Sequence, residues 1–208
     1  SFRVEWAARI PNILLSIAAL ACLWWAVARL AGRRAAGLAA LVLATSSQWI
    51  LITRQAMTDL PFVAPMTIAL ALAAVALLAP DEERAPTPRA RRLALAGLVA
   101  LTVPQLVLFS IQLRCTVRLG RHAWHAPGVV AMLPYLVALP LVVLWCARAR
   151  TRRQLHLQLA WVACALGTLA KGPAGLALPA LTIAVYLVLA GRAREIVTRL
   201  ELPRGILL

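Results

Sequence analysis

Acidic residues are scarce: seven Asp and Glu stand against twenty-two Lys and Arg in 208 residues. Five of the seven, Asp81, Glu82, Glu83, Glu195 and Glu201, lie in strongly basic stretches, which leaves Glu5 and Asp59 as carboxylates needing a separate explanation. Lysine is rarer still, because Lys171 is the sole lysine beside twenty-one arginines. Four cysteines occur, with Cys22, Cys146 and Cys164 inside or beside apolar runs and only Cys115 in a connection, so no disulfide framework is implied. His122 and His125 have the spacing of a metal pair but no third ligand nearby, and no metal site is assigned to them. His156, beside a basic connection, carries no hypothesis. Internal repeats are lacking. So are an initiator Met and a signal-peptide pattern at Ser1, and the chain stops at "PRGILL" as another apolar run begins, so it is expected to be a piece of a longer protein cut at both ends.

What the sequence has in quantity is apolar length. Hydrophobic residues make up 62% of it, in runs of about 17 to 21 residues, the length that crosses a bilayer rather than the length a soluble core needs. The net charge of +15 does not point to nucleic acid, because the arginines fall in short clusters between the runs, as in the cytoplasmic loops of membrane proteins. Seven spans are predicted at about 10–28, 35–53, 60–79, 93–113, 127–147, 155–170 and 174–190. As one helix, residues 155–190 would extend roughly 54 Å against a hydrocarbon core of about 30 Å, so the chain must turn, and Gly172-Pro173 is where it can. The fold class is therefore an all-α, polytopic transmembrane bundle.

Taking alternate connections, one side of the membrane collects Arg29, Arg33, Arg34, Arg84, Arg148, Arg152 and further arginines, fifteen of the twenty-two basic residues. The positive-inside rule makes that side cytoplasmic. Trp6, Trp49 and Trp124 then fall near outer boundaries and Trp24, Trp25 and Trp145 near inner ones, as interfacial aromatic belts require. The segment "RQAMTD", the loop at 114–126 and "AKGP" face outward.

Two outward residues could carry chemistry. In Thr58-Asp59-Leu60-Pro61, Asp59 is placed to cap a helix, with proline in the first turn where no amide donor is missed. A carboxylate at the membrane surface beside Arg54 could equally act as a base or orient an acceptor. Lys171 could simply end its span by snorkelling. A compact ammonium beside a Gly-Pro turn, with a helix starting just after it, also suits an anionic group such as phosphate.

Three stretches, "EWAARIPNILL", "RQAMTDLPFVAPMTIALAL" and "LGTLAKGPAGLALPALTIAVYLVL", resemble in order and topology the membrane domain of bacterial lipid A aminoarabinose transferases and the related protein O-mannosyltransferase-like enzymes, glycosyltransferases of the GT-C fold. The resemblance covers about 1–79 and 160–208, and the pairing of "AKGP" with "TDLPF" is its most specific part. It implies one truncated transmembrane domain over 1–208, with 80–154 as an inserted helix pair and outer loop. It also implies a multi-pass enzyme of the bacterial inner membrane, with its active site facing the periplasm, that moves a sugar from a polyprenyl-phosphate carrier to a lipid A-like lipid or a protein. Membrane lipids would surround it, and the lipid-linked sugar would be a substrate rather than a cofactor.

Within that resemblance Asp59 matches the acidic residue between the third and fourth helices of the complete enzyme, Lys171 the lysine of a Thr/Ala-Lys-Gly turn, and Arg9 the arginine after the first outer loop. Asp59 is then the catalytic carboxylate, and Lys171, Arg54 and Arg9 bind the donor phosphate. The family's main carboxylate lies in that first outer loop, before the point where this sequence starts, so the piece alone is expected to be inactive. The competing class is a transporter or flippase subunit, since intramembrane Pro and Gly breaks and a boundary Asp-Arg pair also occur in carriers.

Overall fold

Long apolar runs without period-two alternation form helices, since in hydrocarbon a helix satisfies its own backbone. The computed structural model describes residues 2–54, 59–80, 82–112, 115–119, 122–126, 128–195 and 200. Its elements are α1 (Phe2–Ala31), α2 (Arg33–Thr45), α3 (Ser47–Arg54), α4 (Leu60–Leu78), α5 (Pro88–Gln112), β1 (Cys115–Leu119), β2 (His122–Ala126), α6 (Gly128–Ala147), α7 (Arg152–Lys171) and α8 (Ala174–Leu189). Each predicted span falls on helix, with three corrections.

The second span is broken into α2 and α3, bent by 60°. Ser46 causes the break: its hydroxyl donates to the Leu43 carbonyl at 3.0 Å and accepts from the Trp49 amide at 3.3 Å, so the side chain replaces helical backbone bonds at that point. The connection between the fourth and fifth predicted spans, in turn, carries a hairpin. Cys115–Leu119 and His122–Ala126 pair as an antiparallel ribbon, with Cys115 opposite Ala126 and Leu119 opposite His122. The alternation in "CTVRL" and the two residues separating the strands suit a hairpin.

Lastly, among the described residues two helices are long and apolar enough to cross a membrane, Arg9–Ala31 and Leu60–Leu78, or three if α2 and α3 count as one bent span. Two of the other predicted spans differ from a full apolar crossing for physical reasons. Ala174–Leu189 is apolar but, at 16 residues, shorter than the ~20 residues a bilayer needs. Helix α7 carries Arg152, Arg153, Gln154, His156 and Gln158 in its first two turns.

The chain forms two compact units, Ser1–Ala85 with Thr151–Leu208, and Pro86–Arg150. In the first, α4 is central and packs on α1, α7 and α8. It is buried on all sides, with Leu60, Ala64, Ala69, Ala73, Val75 and Ala76 almost wholly covered. Its alanines let neighbouring helices approach closely. Trp49 Nε1 donates to Ser16 Oγ at 3.1 Å and ties α3 to α1. In the second unit, α5 packs on α6, and Arg91 Nη2 donates to the Ala149 carbonyl at 2.9 Å.

The turn predicted at Gly172-Pro173 is present. Gly172 takes φ +79°, a left-handed conformation that closes α7, while its amide bonds to the Thr168 carbonyl at 2.7 Å.

Candidate functional site

Helices α4 and α7 run antiparallel and are joined by charge at both ends. At one end Asp59, immediately before α4, meets Lys171, the last residue of α7, through a carboxylate–ammonium contact between Oδ1 and Nζ. The two rarest candidates in the sequence are thus brought together by the packing of α4 on α7. Asp59 holds the N-cap position with Pro61 in the first turn, yet its side chain makes no capping bond. Its backbone is already helical (φ −77°, ψ −35°) rather than extended as a capping residue requires, and the carboxylate turns to the ammonium instead. Only its main chain serves the helix, its carbonyl accepting from the Phe62 and Val63 amides. The capping expectation is therefore corrected.

The pair stays open to its surroundings, with side-chain exposures of 36% for Asp59 and 50% for Lys171. An exposed pair in water contributes no more than about 1 kcal/mol, so stability does not account for this placement. Beneath the ammonium lies Phe62, its ring centroid 5.8 Å from Nζ, near enough for a cation–π contact. Arg54 ends α3 and is exposed, and Arg9 is an exposed residue of α1. Among the described residues neither one pairs with Asp59, so Arg54 is not the neighbour expected from its sequence position. Thr58 lies outside the described residues.

Residues 2–85 match the family model of the dolichyl-phosphate-mannose-protein mannosyltransferases. The match takes in Arg9, Arg54, Asp59 and α4, and it is a similarity to membrane glycosyltransferases of the GT-C type. Lys171 lies outside it. No curated protein and no solved structure matches the chain.

At the other end of the α4–α7 pair is a cluster that sequence reasoning passed over. Glu82, in the connection after α4, is 2% exposed. Its Oε2 lies 2.5 Å from His156 Nδ1 on α7, and its Oε1 lies 3.1 Å from Arg29 Nη1 on α1. The Arg29 contact is an ion pair without hydrogen-bond geometry, so Oε1 is held by charge alone. Trp25 completes the cluster, with its ring 5.7 Å from the Arg29 guanidinium carbon and edge-on to His156 at 5.2 Å. The connection is also stitched to the start of α7 through its backbone, the Glu82 and Arg84 carbonyls accepting from the Arg153 and Arg152 amides at 2.8 Å each, and Glu83 pairs with Arg153. The cluster thereby ties the end of α1, the connection after α4 and the start of α7 together.

Between the two ends, α4, α7 and α8 border an open apolar cavity of ≈ 180 Å³ lined by Ala69, Ala73, Trp161, Cys164, Ile183 and Leu200 among others. Its alanines leave room for a hydrocarbon chain. Cys164 lies seven positions before Lys171, which places the near wall roughly 10 Å along α7 from the charged pair.

Proposed function

We propose that this chain is part of an integral membrane glycosyltransferase that transfers a sugar from a polyprenyl-phosphate donor to an extracytoplasmic acceptor, a lipid A-like lipid or a protein. The observation that carries the proposal is the contact of Lys171 with Asp59 at the open end of α4 and α7, where a cation suited to phosphate and a carboxylate suited to a hydroxyl stand side by side. The similarity of residues 2–85 to mannosyltransferases supports it.

In the reaction, the acceptor oxygen bonds to the anomeric carbon as the bond from that carbon to the phosphate oxygen breaks. The electron pair leaves with polyprenyl phosphate, and the acceptor proton passes to a carboxylate. Lys171 would stabilise charge building on the departing phosphate, with Arg54 and Arg9 as further donor contacts, and Asp59 would take the proton or hold the hydroxyl in line. Donor phosphate competes with Asp59 for Lys171, so donor binding frees the carboxylate for the acceptor. The cavity among α4, α7 and α8 offers the polyprenyl tail an apolar bed.

The same reading makes the chain part of a polytopic GT-C bundle in the bacterial inner membrane with the Asp59 end periplasmic. It makes 80–154 an inserted helix pair carrying an outer hairpin. The decisive test is transfer by the full-length protein in proteoliposomes, with mannosyl polyprenyl phosphate as the first donor tried. Release of polyprenyl phosphate that depends on both Asp59 and Lys171 is expected. Donor consumption unaffected by replacing either residue would overturn the assignment.

A further inference from the structure

Three helices converge one turn below the charged pair. Gly167 precedes Lys171 by four positions and Phe62 follows Asp59 by three, so each lies a turn further in on the same helix face as its partner. Gly175, in the first turn of α8, packs its backbone directly on Gly167. A Cβ added at Gly175 would stand 2.2 Å from the Gly167 carbonyl carbon and 2.3 Å from the Thr168 amide nitrogen, a collision with main chain that cannot move aside. A Cβ at Gly167 would meet the Gly175 Cα at 3.4 Å and the Phe62 carbonyl oxygen at 3.8 Å, ordinary contacts that a modest shift absorbs. α8 can therefore close on α7 only through glycine at 175, and the connection it closes is Lys171-Gly172-Pro173.

We infer that Gly175 is a positioning residue: its backbone contact with Gly167 sets the α7–α8 turn so that the Lys171 ammonium lies against Asp59 and over the Phe62 ring. A side chain at 175 wedges the first turn of α8 off α7, lifts the turn and separates the pair, while the Glu82 cluster at the far end of α7 stays intact. The inference concerns placement of the ammonium and needs no assumption about the sugar. Its catalytic consequence rests on the transferase reading.

Lys171 is the sole lysine of this sequence, so its chemical reactivity reports its pairing without turnover. The full-length protein in detergent is treated briefly with an amine-acylating reagent, and modification of the peptide bearing Lys171 is followed by mass spectrometry. An ammonium held by a carboxylate acylates slowly, and a pair strength near 1 kcal/mol corresponds to about fivefold in rate. Asp59→Asn should raise Lys171 acylation about fivefold in the native background. Gly175→Ala should raise it by as much alone, and adding Asp59→Asn to Gly175→Ala should raise it no further. Gly167→Ala, whose added carbon meets only ordinary contacts, should acylate as the native protein does, while the bulkier Gly167→Val should raise acylation and guards against a Gly175 variant that fails to fold.

The inference fails if folded Gly175→Ala acylates as the native protein does and still responds to Asp59→Asn. It also fails if Gly175→Ala does not fold and folded Gly167→Val shows native acylation. If acylation behaves as expected while no transferase activity exists, the positioning role stands and the proposed reaction falls. In an active enzyme, Gly175→Ala should raise the donor KM about tenfold with a smaller change in kcat, whereas general loss of fold would lower the active fraction at unchanged KM.

Discussion

Lys171 Nζ reaches Asp59 Oδ1 across 112 positions of sequence, linking the end of α7 to the start of α4 at their open end. The contact joins two partly exposed charges, so it adds little to stability. Among the described residues the ammonium's ion-pair partner is one Asp59 carboxylate oxygen, which is why the proposed phosphate role can be tested by substituting either residue.

For Asp59, stability and turnover should separate. Because its side chain makes no capping bond, Asp59→Asn removes only the weak ion pair, and the unfolding free energy should change by less than about 1 kcal/mol. Transfer by the full-length protein should fall at least ~100-fold at unchanged membrane abundance, about 2.7 kcal/mol in the barrier. Near-native turnover by a stable Asp59→Asn protein would remove Asp59 from the chemistry.

Lys171→Ala should act on the donor. Binding of a polyprenyl phosphate, measured by titration in detergent micelles, should weaken at least about tenfold, or ~1.4 kcal/mol. Native affinity in a folded variant would return Lys171 to a residue that ends a helix at the interface.

Membrane orientation can be tested apart from function. Fifteen of twenty-two basic residues fall on one predicted side. In a background lacking the four native cysteines, single cysteines at positions 56 and 120 should react with an impermeant thiol reagent on intact spheroplasts, and those at 87 and 151 should not. The reverse pattern would move Asp59 and Lys171 to the cytoplasm and end the proposed reaction.

The helices were legible because unbroken apolar runs leave the backbone no better solution, and the turn at Gly172 because an over-long run must fold back and glycine tolerates the required φ. Asp59 and Lys171 were legible through rarity alone. Their meeting was not, since it depends on which helix packs against α4, and local reading favoured nearby Arg54. The bend at Ser46 depends on one hydroxyl taking over backbone bonds inside an apolar run, which composition does not register. Glu82 was hidden for another reason. An acid among arginines reads as charge balance at a loop, and its burial arises only where the end of α1, the connection after α4 and the start of α7 converge.

That convergence yields the last prediction. Glu82 is held by Arg29 and His156 from two different helices and is almost wholly buried, so deleting its carboxylate leaves the partly exposed Arg29 guanidinium without this counter-charge. Removing one member of a fully buried pair costs about 3 to 5 kcal/mol, and with Arg29 partly exposed the loss falls toward the lower end, still above the cost of losing the exposed pair at the other end of α7. Glu82→Ala should therefore lower the thermal unfolding midpoint of the detergent-solubilised protein far more than Asp59→Asn does. Glu82→Gln, which keeps the shape and can still accept from His156, should lose about 1 to 2 kcal/mol. Adding Arg29→Ala to Glu82→Ala should recover part of the loss, because the stranded charge goes with it and the two effects are not additive. Below its lowered midpoint, Glu82→Ala should retain donor affinity, since Lys171 stands at the opposite end of the helix. A Glu82→Ala protein as stable as the native one would show that the cluster does not hold α1 and α7 together. A folded one with weakened donor binding would show that strain at this end reaches Lys171 along α7.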